Sequence, residues 1–135
     1  MKDISVDAKV DNLYKVLDFI EKQLTYTNCD IKFKTQLSVA IEEIFVNVAK
    51  YAYDGACGIV KIQFSFTTNP DVVTVDFIDS GTKYNPLAKE DPDIGLSASD
   101  RPIGGLGIYM TKKFVDDMVY EYKDNKNILT IKKQI

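Results

Sequence analysis

Glu43 and Asn47 stand four positions apart in a helical pattern, Asp79 and Gly81 close a run that reads as a strand, and Gly104-Gly105-Leu106-Gly107 leads into a second helical pattern. A carboxylate and a carboxamide at that spacing share one side of a helix, so both can reach one metal-bound phosphate group. An Asn in a helix interior also lowers helix propensity without any capping role. Asp79 is in phase, by period two, with Val73, Val75 and Phe77, which turns its carboxylate toward the core face, where it needs a partner. The glycine two positions later lets a ligand approach the backbone. Three glycines in four residues before a helix free amide N–H groups for phosphate oxygens at the positive end of the helix dipole. In this order, the three groups point to a nucleotide site.

Several other chemistries are excluded. The chain has no GxxxxGK[ST] and no GxGxxG, which removes a Walker-type loop and the simplest dinucleotide-binding fold and leaves a non-Walker phosphate cradle. Histidine is absent, so there is no His-containing metal site, no Ser-His-Asp triad and no phosphorylation of a histidine within the chain. The two cysteines, Cys29 and Cys57, lack CxxC spacing and fit reduced thiols. A net charge of −3, with lysines paired only at Lys112-Lys113 and Lys132-Lys133, argues against a nucleic-acid or anionic-membrane surface. No apolar run approaches the ~18 residues of a membrane span and no signal-like block follows Met1, so a cytoplasmic protein is expected.

The elements that must position these residues are readable from periodicity. A chain of 135 residues is most simply one domain, spanning residues 1–135. Ile4 to Val6 suggests a short edge strand. Leu13, Leu17, Ile20 and Leu24 mark a first helix from about Val10. A second runs from about Phe33 to Tyr53, with Leu37, Ile41, Ile44, Val48 and Tyr51 on its core face and Asp54-Gly55 as its stop. Ile59 to Thr67 and Val72 to Ile78 read as an antiparallel hairpin about the turn at Thr68 to Asp71. Pro86 to Pro102, at about 17 residues, is long for a connection and reads as a lid or other functional loop. Leu106 to Val115 fits a third helix, with Lys112 and Lys113 facing solvent. Met118 to Tyr122 and Ile128 to Ile131 fit a closing hairpin around Asp124 to Asn127. This order predicts an α+β sandwich, helices on one face of a mixed, mostly antiparallel sheet.

Leu37 to Asn47 resembles the N box of the GHKL ATPase/kinase superfamily, Asp79-Ser80-Gly81 its G1 box and Pro102 to Ile108 its G2 box. Within it the chain is most similar to the small bacterial anti-sigma-factor serine/threonine kinases. The likeness extends to Val119-Tyr120 and the closing Asn127 to Lys132. It implies the Bergerat fold, a two-layer sandwich with ATP between helices and sheet under a lid. It also implies roles: Glu43 as general base, Asn47 as Mg²⁺ ligand through its amide oxygen, and Asp79 as acceptor for the adenine amine. Thr130 would complete the adenine contact through water, and Gly81, Gly104, Gly105, Leu106 and Gly107 would frame the nucleotide. Two positions depart from the pattern: Lys50, three after Asn47, stands where many relatives carry His, a change that bears on phosphate or partner contacts, and Lys83 takes the slot of a second G1 glycine.

The implied activity is that of an ATP·Mg²⁺-dependent protein serine/threonine kinase acting as an anti-sigma factor. It would phosphorylate a STAS-type anti-sigma antagonist, sequester a sigma factor or similar regulator, and form a homodimer. The alternative is a nucleotide-gated binding module without kinase activity. A histidine-kinase catalytic domain would need its histidine from another chain, and a gyrase-type ATPase would need a transducer domain.

Overall fold

The computed structural model describes residues 1–88 and 105–135. The described elements are β1 (Lys2–Asp7), α1 (Leu13–Leu24), α2 (Ile31–Tyr51), β2 (Ile59–Thr67), β3 (Val72–Asp79), α3 (Gly105–Phe114), β4 (Asp117–Lys123) and β5 (Lys126–Gln134). Short 3-10 turns occupy Val10–Asn12 and Pro86–Ala88. Most of the expected 86–102 loop, together with Gly104, lies outside the described residues.

The strands form one sheet in the order β1-β2-β3-β5-β4, and every described pairing is antiparallel, in keeping with the mostly antiparallel sheet expected. Alternation decides which face is covered. On β3, Val73, Val75, Phe77 and Asp79 are buried, while the residues between them are half-buried on the opposite face. Val60, Ile62 and Phe64 of β2 and Leu129 and Ile131 of β5 complete the inner face.

The helices bury matching stripes against it. In α1 the buried residues are Val16, Ile20 and Leu24, each four apart. In α2 they are Phe33, Leu37, Ala40, Ile41, Ile44 and Phe45. Each large aliphatic or aromatic side chain fully removed from water contributes roughly 1.5–3 kcal/mol, so this shared core holds the two layers together. Asp30 caps α2, its Oδ1 accepting the Phe33 N–H at 2.8 Å. Beyond α2 the chain reverses through Asp54 and Gly55, at φ of 50° and 84°. Helix α3 packs on α2, and Lys133 donates from Nζ to the Phe114 carbonyl at the α3 C-terminus (2.5 Å). The closing hairpin turns through Asp124 and Asn125, both at positive φ, as a two-residue turn of this hand requires.

Candidate functional site

A cleft opens where the apolar stripe of α2 runs past the edge of the core. Ile44, Asn47, Val48, Tyr51 and Ala52 of α2 and its C-terminal cap form one wall. Ile108 brings in the first turns of α3, and Phe77, Asp79, Tyr120, Asn127 and Leu129 form the sheet side. Thr82, Tyr84 and Pro86 close the end beyond β3. Tyr51, expected in the core, is 48% exposed because the stripe has become a cleft wall by that point.

Asp79 is the buried charge at the base of this cleft, 5% exposed at the end of β3. Its Oδ1 accepts the Gly81 N–H and one N–H of the Asn127 amide, both at 2.9 Å. Its Oδ2 accepts no hydrogen bond among the described residues. Asn127, directly across the ladder on β5 and 6% exposed, also donates to the Thr82 carbonyl at 2.9 Å. Its Oδ1 accepts the Tyr84 N–H at 3.2 Å and the Tyr120 hydroxyl at 2.5 Å. Burial raises the Tyr120 phenol above its ordinary 10.0; the neighbouring Asp79 and Tyr122 add to this, and the Tyr84 backbone opposes it.

The segment after β3 is fixed from two sides. Ser80 donates its N–H to the Tyr53 hydroxyl at 2.9 Å, and that hydroxyl donates to the Ile59 carbonyl at 2.6 Å. Gly81 lies against the end of α2, where a Cβ would overlap the Ala52 carbonyl. Gly81 therefore serves the close passage of two backbones, a different use from the ligand approach expected of it. Lys83 points outward with its ammonium 5.2 Å from the Tyr122 ring centroid.

The other expected residues divide. Asn47 lines the cleft, half-buried, with no hydrogen bond among the described residues. Glu43 is half-buried one turn earlier on α2 and stands outside the cleft lining. Lys50 is exposed and also outside it. Gly105, Leu106 and Gly107 form the first turn of α3, whose leading N–H groups have no intrahelical partner. Thr130 is not brought to the site. It pairs with Asp76, its hydroxyl donating to the Asp76 carboxylate at 2.5 Å, and both belong to the sheet face opposite Asp79. Three positions back and on the inner face, Asn127 is the β5 residue that pairs with Asp79. The sequence reading did not assign it a role, although the turn at Asp124-Asn125 fixes its pairing with Tyr122.

An antiparallel sheet covered on one face by helices, with a cleft between the end of α2, the start of α3 and a buried strand-end carboxylate, is the architecture of the GHKL-type nucleotide-binding domains. The model of the histidine kinase-like ATPase domain matches residues 6–133, and the chain belongs to that family. The serine-protein kinase RsbW of Listeria monocytogenes serovar 1/2a is 25% identical over 100 residues, covering 71% of this chain and 63% of the relative. RsbW of serotype 4a of the same species is 24% identical over the same shares. The matched region thus spans less than two thirds of the curated relatives.

Among solved structures, the RsbU and RsbW domains of Rv1364c from Mycobacterium tuberculosis superpose with a TM-score of 0.65 at 15% identity, covering 98% of this chain and 32% of that one. The histidine kinase domain of a blue-light activated histidine kinase from Erythrobacter litoralis gives 0.58 at 13% identity, covering 92% and 59%. These likenesses establish the fold.

Proposed function

We propose that the chain is an ATP-dependent protein serine/threonine kinase of the anti-sigma type, binding adenine nucleotide in the cleft between α2, α3 and the sheet. The observation that carries this reading is Asp79: a buried carboxylate, held through one oxygen and with the other unpartnered among the described residues, lining an otherwise largely apolar cleft. A flat apolar ring bearing an amino group satisfies both the walls and the free oxygen. The resemblance to serine-protein kinases named RsbW supports the finer assignment.

The order of residues along α2 fits the length of a nucleotide. Ala52 and Tyr51 stand at the base end with Asp79. Asn47 follows, and Glu43 lies ~6 Å further along the helix axis. The α3 N-terminus, with Gly105 and Gly107, presents N–H groups that have no intrahelical partner and suit phosphate oxygens. Among the described residues no three His, Cys, Asp or Glu side chains cluster as a metal site. The Asn47 amide oxygen, in the cleft lining, suits a Mg²⁺ held by it together with ligand phosphates, the mode this ion favours. Bound ATP supplies the phosphoryl group, and Mg²⁺ offsets its charge. The protein's part is to hold the phosphates with Asn47 and the α3 amides, and to take a proton from the attacking serine or threonine hydroxyl at Glu43. The phosphorylated partner would be a STAS-type anti-sigma antagonist, the sequestered one a sigma factor or similar regulator, and the working unit a homodimer.

The test is calorimetric titration with ATP and ADP in the presence and absence of Mg²⁺, followed by transfer from labelled ATP to a candidate antagonist domain. Metal-dependent binding with transfer to a serine or threonine is the expected result. Absence of binding at millimolar nucleotide overturns the reading. Binding and complex formation without transfer favours a nucleotide-gated binding module, the reading to which Glu43, outside the cleft lining, gives weight.

A further inference from the structure

Asn127 is buried opposite Asp79 with every hydrogen-bonding group of its amide engaged. The two Nδ2 hydrogens go to Asp79 Oδ1 and the Thr82 carbonyl, each at 2.9 Å. Oδ1 takes the Tyr84 N–H at 3.2 Å and the Tyr120 hydroxyl at 2.5 Å. This fixes the amide's orientation: flipped, its oxygen would face the Asp79 and Thr82 oxygens, and its NH₂ would face the Tyr84 N–H. A carboxylate lacks the two donors, and a hydroxyl lacks one donor and the planar spread, so neither can make all four bonds. Three separate pieces of chain, the end of β3, the 82–84 segment and the β4–β5 hairpin, are thereby tied through one side chain to the one carboxylate lining the cleft among the described residues.

We propose that Asn127 is the positioning residue for base selection: by holding Asp79 Oδ1 from the side, it leaves Oδ2 as the acceptor offered to the ligand and so favours a 6-aminopurine over a 6-oxopurine. This rests on the nucleotide reading above. A 6-amino group donates to the free carboxylate oxygen, whereas a 6-oxo group sets oxygen against oxygen, and a buried acceptor left facing an acceptor is heavily penalised. Without the Asn127 donor, the carboxylate is free to turn and the distinction between the two bases weakens.

The experiment is calorimetric titration of the full chain with ATP and with ITP, in wild type, Asn127→Ala and Asn127→Asp at pH 8, with folding of each variant followed by circular dichroism. Wild type should bind ATP at least on the order of tenfold more tightly than ITP. The ratio should narrow toward one in Asn127→Ala. It should narrow at least as far in Asn127→Asp, where a second carboxylate repels Asp79 despite nearly unchanged shape. A role in packing alone gives the opposite order, the near-isosteric Asp preserving what Ala loses, and that outcome overturns the proposal. Equal wild-type affinities for ATP and ITP overturn it as well, without recourse to any variant. Binding of neither nucleotide by wild type would remove the underlying reading and this proposal with it, whereas an unchanged ATP:ITP ratio in both folded variants would remove this proposal alone.

Discussion

Thr82 donates its backbone N–H to the carbonyl oxygen of Ala52 at 2.7 Å, joining the segment after β3 to the end of α2. The bond lies immediately beside the cleft, with both residues in its lining. It couples the wall that carries Asn47 to the strand end that carries Asp79. The approach is possible only because residue 81 has no side chain.

Gly81→Ala should therefore lower stability by about 1–3 kcal/mol, because the overlap is with backbone and has no side chain to yield. Nucleotide affinity should fall with it as the two walls part. Gly55→Ala is the matched control: at φ of 84° with nothing within 4 Å of an added Cβ, it meets backbone strain alone. That strain is about 1–2 kcal/mol, and the cleft should keep its affinity. Thermal melts and calorimetry on the pair check both statements.

Asp79→Asn replaces the carboxylate by an amide whose NH₂ cannot serve as acceptor. ATP affinity should drop by about ten- to a hundredfold, the range for losing a charge-assisted hydrogen bond in a buried site. The Gly81 N–H can still find the remaining carbonyl oxygen, so the fold should persist with a lowered melting temperature. Calorimetry at constant Mg²⁺ is the measurement.

Thr130→Val should leave nucleotide binding unchanged. Its hydroxyl serves Asp76 on the far face of the sheet, and Asp76 is half-buried and within reach of water, so the loss in stability should be about 1 kcal/mol or less. A tenfold loss of ATP affinity in this variant would contradict the placement of Thr130 away from the cleft.

The Tyr120 phenol, raised above 10.0 chiefly by burial, gives a pH signature. Its neutral form is the one favoured in the folded protein. The associated stability is thus fully present below the unfolded value near pH 10 and is lost as pH rises through the higher folded value. The Tyr120–Asn127 bond should persist across neutral pH. Ultraviolet titration of wild type against Tyr120→Phe should place the difference transition above pH 10, and a midpoint below 10 would contradict it.

How far the sequence alone carried the fold depended on the range of the interaction concerned. Ile59 to Thr67 and the strand ending at Asp79 were legible because alternation is local and each had a turn at its end. The burial of Asp79 was legible for the same reason, since period two places it with Val73, Val75 and Phe77. The partner of Asp79 was not. Which residue of β5 faces it is set by long-range register, and the choice between Asn127 and Thr130 is a choice between the two faces of the sheet. Tyr51 misled in another way: apolar spacing marks a stripe removed from water, and core and cleft wall satisfy it equally. Gly81 signalled a close approach correctly, but nothing local named the Ala52 backbone as what approaches.

Glu43 and Asn47 share one side of α2, yet only Asn47 lines the cleft, and the two should separate under mutation. A general base contributes on the order of 10²–10⁴-fold to a proton-transfer step, whereas on the proposed reading nucleotide affinity would reside in the base site, the metal ligand and the α3 amides. Glu43→Gln should keep ATP affinity within a few fold and retain the complex with the antagonist domain, while transfer of label to its serine or threonine falls by about two orders of magnitude or more. Asn47→Ala should lose transfer and also the Mg²⁺ dependence of binding, because the amide oxygen itself is gone. Both variants change half-buried helix positions and should fold, which a thermal melt verifies. Undiminished transfer by Glu43→Gln would assign the proton to another acceptor, and Mg²⁺-dependent affinity surviving in Asn47→Ala would place the metal elsewhere.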